Sequence, residues 1–173
     1  MTRQAYIQNF SPIAMEAVEG TRIFASIMMT LAILESSDKR GTAGKSILAR
    51  LFNNHFAVKT NSSWSARKAN LKHREIIFGK DLLIQDYFRT YNDPAHSFKD
   101  KVQCLLENKR NVDAGVFLAI TPGQQADALR AAGYNTDPHF ANTLKRLIAR
   151  YNLNALDTRF SRIHIQYTEL SNN

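Results

Sequence analysis

A run of twelve mostly apolar residues, Ile23 to Leu34, constrains the fold of this chain more than any other feature. The run is too short to span a bilayer, which needs about 20 residues. It also starts too late for a signal peptide and lacks a small-residue cleavage site behind it. The run therefore predicts a buried core helix, with Thr21 as its cap and Glu35 at its end. Neither a membrane span nor a signal peptide is expected.

Glu35 stands where the apolar run stops. A carboxylate at the end of a buried helix has apolar neighbours on one side, which favours its protonated form near neutrality. A general acid needs that form. The alternative is a purely structural role, in which Glu35 is the first solvated residue after a core helix. The residues around it leave both interpretations open.

The charge and the single cysteine limit the class of protein. The 173 residues carry a net charge of +8, which predicts attraction to a polyanion such as nucleic acid, an anionic membrane or acidic cell-wall polymers. No nucleic-acid motif accompanies the charge. Cys104 stands alone, so a disulfide framework is excluded and the fold must hold by packing.

Metal and nucleotide sites are not indicated. The segment Gly41–Ser46 resembles a phosphate-binding loop, but the pattern's first glycine falls on Lys39, and no strand precedes it. The five histidines show no paired ligand spacing, so no metal and no cofactor are expected. They are His55, His73, His96, His139 and His164.

Helix signals dominate the rest of the chain. Three dipeptides place proline at a first helical position behind a capping residue: Asp93-Pro94, Thr121-Pro122 and Asp137-Pro138. Thr42 is a further candidate cap, for a helix to about Leu51, and Gly133 is placed to end the helix that begins at Pro122.

Between Arg74 and Tyr87 the pattern changes to two short β-rich segments around Gly79. The tail beyond Asp157 has an alternating stretch, 163–167, that predicts a short strand or an irregular extension. No repeat, low-complexity tract or linker divides the chain. The sequence predicts one mainly α domain over residues 1–173, with a hairpin at about residues 67–87.

Four stretches carry a resemblance to a known family. They are Ala32–Ser37 followed by Gly44–Ala49; Asn53–Lys59; Phe88–Tyr91 followed by Ser97–Asp100; and Ala132–Pro138. In this order they resemble the peptidoglycan-cleaving glucosaminidases of glycoside hydrolase family 73, which include flagellar and autolysin-type domains. Two departures stand out: Ala57 replaces the usual glycine, and Asp38–Arg40 replaces a common Trp-Gly pair.

The resemblance implies a lysozyme-like α+β fold, in which a helical lobe and a small β-hairpin lobe flank a catalytic cleft. It implies an endo-β-N-acetylglucosaminidase that cleaves the β-1,4 bond between N-acetylglucosamine and N-acetylmuramic acid in peptidoglycan. Glu35 matches the family's general acid, Glu75 the second carboxylate on the hairpin, and Tyr134 a tyrosine of the catalytic centre. Trp64, His55 and Arg89 are expected to contact substrate, although Arg89 also suits the base of the hairpin.

The reaction class stays open at this point. A nucleophile in a retaining enzyme lies about 5–5.5 Å from the acid, and an inverting base about 6.5–9.5 Å from it. The substrate's own 2-acetamido group is a third candidate for the attack. The competing function is a non-catalytic module that binds wall glycan or nucleic acid.

The biological setting is also open. A basic muralytic domain without a leader suits a phage lysin, an antibacterial effector or the excised catalytic domain of an autolysin. Its partner is then the peptidoglycan strand, in the periplasm or outside the cell, and an effector would also have an immunity or inhibitor protein.

Overall fold

The computed structural model describes residues 1–77 and 79–157, in which α-helices dominate. The elements are α1 (Arg3–Ala17), α2 (Ala25–Glu35), α3 (Ile47–Phe52), β1 (Lys68–Ile77), β2 (Lys80–Arg89), α4 (Pro94–Glu107), α5 (Lys109–Asp113), α6 (Pro122–Ala131) and α7 (Phe140–Arg150), with 3-10 turns at Val116–Leu118 and Leu153–Asp157. The predicted fold class, a helical protein with one small hairpin, is confirmed.

Helix α2 is the centre of the core. Its residues from Ala25 to Ile33 are all buried, and it packs against α1, α6, α7 and the 3-10 turn at Leu153–Asp157. A helix surrounded on every side has no polar face, which explains the continuous apolar run in the sequence. The core helix predicted from that run is confirmed.

The predicted cap of α2 is wrong. The helix begins after Phe24, and the Thr21 hydroxyl donates to the Val18 carbonyl instead. At this end of α2 the Ser26 amide donates to Asp157 Oδ1 at 2.9 Å, so a carboxylate 131 residues away satisfies it. A tertiary contact therefore replaces the local capping signal.

The other helix starts follow the local signals in part. The side chains of Asp93 and Thr121 accept from the amides of His96 and Gln124, as predicted. Two predicted starts are wrong: α3 is capped by Ser46 rather than Thr42, and α7 begins at Phe140 rather than Pro138.

The two strands form an antiparallel hairpin in which Glu75 pairs with Leu82. The hairpin agrees with the predicted position and extends two residues further, to Arg89. Its base is fixed to the preceding loop, because the Arg89 amide donates to the Val58 carbonyl and the Asn54 side-chain amide donates to the Arg89 carbonyl. The loop 53–59 thus joins the helical lobe to the hairpin.

Among residues 1–77 and 79–157, no helix is both long and apolar enough to cross a membrane. The stretch 163–167, predicted as a strand or an extension, lies outside the described residues.

Candidate active site

Glu35 is the last residue of α2, and hydrogen bonds of the next residue, Ser36, fix the backbone at this helix end. Ser36 is completely buried; its hydroxyl accepts from the Gly44 amide and its carbonyl accepts from the Ser46 amide, both at 2.8 Å. These bonds fold the segment after Glu35 back against the helix end. The Glu35 side chain is 23% exposed, so it is accessible while its backbone is fixed.

Tyr134 reaches Glu35 because of the way α6 ends. The Gly133 amide donates to the Arg130 carbonyl and the Tyr134 amide to the Leu129 carbonyl, which is a Schellman motif with Gly133 at φ +74°. This turn directs Tyr134 toward the core, where its ring stacks on Phe140 at 5.4 Å. Its hydroxyl donates to Glu35 Oε1, across 99 residues of sequence.

The protonation state of Tyr134 is set by its surroundings. Burial of the phenol and the neighbouring charge of Glu35 raise the pKa of Tyr134 well above its usual value. The hydroxyl therefore keeps its proton throughout the pH range in which proteins are stable, and it acts as a hydrogen-bond donor to Glu35.

A third side chain, Lys101 of α4, completes the group around Glu35. Its ammonium lies 3.5 Å from Glu35 Oε2, and the side chain is 11% exposed. The same ammonium lies 4.6 Å from the centre of the Tyr134 ring and 5.7 Å from that of Phe56. The surroundings of Glu35 are therefore more polar than the apolar run predicts.

Glu75, the predicted second carboxylate, belongs to a charged cluster on the hairpin. The Lys59 ammonium lies 2.6 Å from Glu75 Oε1 and 2.7 Å from Asp86 Oδ2, while His73 Nε2 lies 2.8 Å from the same Asp86 oxygen. Hydrogen bonds from Lys59 and His73 lower the pKa of Asp86. The possible metal-ligand atoms of His73, Glu75 and Asp86 lie within 4.8 Å of one another. Lys59, however, already supplies the positive charge that the two carboxylates require.

His55 is placed in the core rather than at the surface. It is 3% exposed, its Nδ1 shares a 2.7 Å hydrogen bond with the Tyr6 hydroxyl, and its ring lies 4.7 Å from that of Phe10. The substrate contact predicted for His55 does not fit this position, since a buried ring has no surface to offer a sugar. Its role in the described structure is to pack α1 against the loop 53–59.

Arg89 is also a structural residue here. Its guanidinium makes two bonds to Asp100, at 2.7 and 2.9 Å, which tie the base of the hairpin to α4. The Trp64 ring covers the guanidinium, with 4.5 Å between the charge and the ring centre, and contacts Tyr91 edge-on. The anchoring alternative for Arg89 fits this geometry better than substrate contact, whereas Trp64 is partly exposed and sugar contact by it stays a prediction.

Comparison with known proteins identifies the family of this chain. The sequence model of the glucosaminidase family, described as mannosyl-glycoprotein endo-beta-N-acetylglucosaminidase, matches residues 11–153. The chain belongs to the glucosaminidase family. The family predicted from the four stretches is thereby confirmed, and with it the class of enzyme, a glycoside hydrolase.

Individual relatives of this glucosaminidase share its sequence and fold. It is 30% identical over 159 residues to the exo-glucosaminidase LytG of Bacillus subtilis, covering 90% of this chain and 54% of that protein. The chain thus spans about half the length of this curated relative.

Two solved structures resemble this glucosaminidase over most of its length. The catalytic domain of the autolysin Auto from Listeria monocytogenes superimposes with a TM-score of 0.74 at 27% identity, covering 90% of this chain and 87% of that one. The glycoside hydrolase domain of FlgJ from Salmonella typhimurium gives a TM-score of 0.66 at 26% identity over the full length of both.

Sequence reasoning missed two basic residues of this glucosaminidase, Lys101 and Lys59. No local pattern marks either of them, because each meets its carboxylate through tertiary packing. Position gave a weak signal in each case: Lys59 ends the second matched stretch, and Lys101 follows directly after the third.

Proposed function

We propose that this glucosaminidase hydrolyses the β-1,4 bond between N-acetylglucosamine and N-acetylmuramic acid in peptidoglycan, with Glu35 as general acid. The observation that carries the proposal is the hydrogen bond from Tyr134 to Glu35. Both residues come from stretches that match the family, and they lie 99 residues apart in sequence. A surface glutamate that merely follows a core helix would not need a partly buried tyrosine as its partner.

The chemistry requires Glu35 to deliver a proton to the glycosidic oxygen as the bond from that oxygen to the anomeric carbon breaks. The leaving sugar departs as an alcohol, and Glu35 is left as a carboxylate. Tyr134 stabilises this carboxylate because its hydroxyl is a permanent donor to Oε1. Water then supplies the hydroxyl group that the anomeric carbon retains, and the other proton of that water goes to a carboxylate of the site.

Glu75 is our candidate for the second carboxylate. It lies on the hairpin and its carboxylate is held by the Lys59 ammonium, 2.6 Å from Oε1. Asp86 shares the same lysine and lies on the neighbouring strand, so it is the alternative carboxylate of the hairpin. Retaining, inverting and substrate-assisted reactions all remain compatible with this pair.

The test compares wild-type protein with Glu35→Gln on purified cell walls. Loss of general-acid catalysis reduces rates by about 10² to 10⁴-fold, so the variant should clear walls at no more than about 1% of the wild-type rate. Mass spectrometry of the reducing ends then identifies the bond, and N-acetylglucosamine at the new reducing end is expected.

Glu107→Gln is the matched control. Glu107 is exposed at the end of α4 and accepts only from the neighbouring Gln103, among the bonds of the described residues. Its rate should equal that of wild type. Equal clearing by wild type and Glu35→Gln would refute the role of Glu35, and an inactive wild type that binds walls or nucleic acid would favour a non-catalytic module.

The proposed substrate places the site of action in the periplasm or outside the cell. The roles of phage lysin, antibacterial effector or autolysin domain, and an immunity protein as partner, stay predictions.

A further inference from the structure

Lys101 is a largely enclosed lysine whose charge is directed at Glu35. In the part of the chain that the structure describes, its one ion-pair partner is Glu35, and its ammonium also lies over the rings of Tyr134 and Phe56. Lysine is rarely buried to this extent unless it is paired, because removing its charge from water is costly. Its position is therefore explained by Glu35 and the two aromatic faces.

Glu35 in turn has a reason to require a cation. It is the last residue of α2, where the unpaired carbonyls carry the negative end of the helix dipole. A negative charge at this end is unfavourable unless a cation lies beside it. Lys101 is the one basic side chain within 4.0 Å of the carboxylate among the described residues.

We propose that Lys101 is a positioning residue of the reaction: it holds Glu35 Oε2 and stabilises the carboxylate that forms when Glu35 gives its proton to the glycosidic oxygen. The inference rests on the proposed role of Glu35 as general acid. Lys101 touches no reacting atom and takes no proton. Its positive charge matters most when the negative charge appears on Glu35, which is in the transition state and after it.

Tyr134 and Lys101 contact different oxygens of the Glu35 carboxylate. Tyr134 donates to Oε1 and Lys101 lies beside Oε2, so each oxygen has a partner from a different element. One more titratable group, Cys104, lies on α4 three residues after Lys101. Burial raises the pKa of its thiol, which leaves it uncharged at neutral pH. Lys101 is thus the group that supplies positive charge to the carboxylate.

The experiment measures kcat and KM of wild type, Lys101→Met and Lys101→Arg on soluble glycan strands prepared from cell walls, from pH 4 to 9. In Lys101→Met the carboxylate that forms on Glu35 has no cation beside it, so kcat should fall about tenfold or more. KM should stay within about twofold, because substrate binding is not affected.

Two further variants separate this role from packing and from net charge. Lys101→Arg keeps the charge, so it should restore most of kcat. Lys99→Met removes the same charge from the same helix, but Lys99 is exposed and pairs with Glu16, so its profile should match wild type. If Lys101→Met does not fold, as judged by near-ultraviolet circular dichroism, Lys101→Gln replaces it as the uncharged variant.

The outcomes decide both proposals separately. An uncharged variant that is folded and keeps the wild-type kcat would overturn the role of Lys101, as would Lys101→Arg with the same defect as the uncharged variant. Wild-type activity that is lost in Glu35→Gln in the same assay shows that the proposed function itself stands. An inactive wild type would refute the proposed function and with it the inference.

Discussion

At the scale of single residues, burial decides the charge of His55. Its ring is enclosed by aromatic side chains and bonded to Tyr6. Burial lowers the pKa of His55 from 6.5 to about 4, since the charged ring cannot be solvated in the core. In the folded protein His55 is thus neutral down to about pH 4. In the unfolded chain it gains a proton below about pH 6.5.

This difference makes stability depend on pH. The pKa of His55 is depressed in the folded state, so its contribution is fully present above pH 6.5 and is lost as the pH falls toward 4. A shift of this size corresponds to a loss of about 3 kcal/mol in the free energy of unfolding. Urea unfolding of wild type and His55→Gln at pH 7, 5.5 and 4.5 measures it.

Comparing wild type with His55→Gln separates the effect of His55 from that of the carboxylates that titrate in the same pH range. We expect the stability advantage of wild type over His55→Gln to shrink as the pH falls, whereas His139→Gln, at an exposed position, should keep the wild-type slope. A constant difference between wild type and His55→Gln across this range would contradict the expected effect.

At the scale of elements, the loop 53–59 determines how the hairpin meets the helices. Asn54 is completely buried; its side chain accepts from the Val58 amide and donates to the carbonyls of Val58 and Arg89. The turn closed by these bonds forces Ala57 into the left-handed region, at φ +47°. A side chain is strained in this conformation, which fits the glycine that the resemblance to the family implies at this position.

Replacing Ala57 with glycine should therefore stabilise the protein. Relief of the left-handed strain exceeds the extra entropy of glycine in the unfolded chain, for a net gain of about 0.5–1 kcal/mol in the free energy of unfolding. Thermal or urea unfolding checks this value. Ala128→Gly, in the middle of α6, is the matched control and should lose about 1 kcal/mol. A loss of stability in Ala57→Gly would show that the turn is not strained at this residue.

The elements also show which parts of the fold the sequence predicts and why. The Asp93 and Thr121 caps and the Gly133 turn are local, since each bonds an amide or carbonyl within a few residues, and all three were predicted. The start of α2 depends on Asp157, and Lys101 meets Glu35 through the packing of α4. Contacts of this second kind have no local pattern, so sequence alone did not predict them.

At the scale of the whole molecule, acidic and basic side chains differ in how far they are paired. Several acidic side chains are already paired with lysine or arginine, as in the bonds of Lys145 to Asp127 and of Lys109 to Asp113. Along β1, however, the alternating residues Lys68, Asn70 and Lys72 are exposed and face away from the cluster of Glu75. A basic strip therefore lies on the outer side of the hairpin, and the net charge of +8 adds to its field.

Attraction of this kind predicts that salt inhibits the enzyme on some walls and not on others. Exposed charges are screened over about 10 Å at 0.1 M salt and about 3 Å at 1 M. On walls that carry anionic phosphodiester polymers, initial hydrolysis rates should fall several-fold between these salt concentrations. On the same walls after acid extraction of those polymers, the rates should change much less, because the glycan bond and the contacts of Glu35 are the same in both substrates. Equal salt inhibition on both walls would mean that the basic strip does not act on the wall polymers and that salt affects the cleft itself.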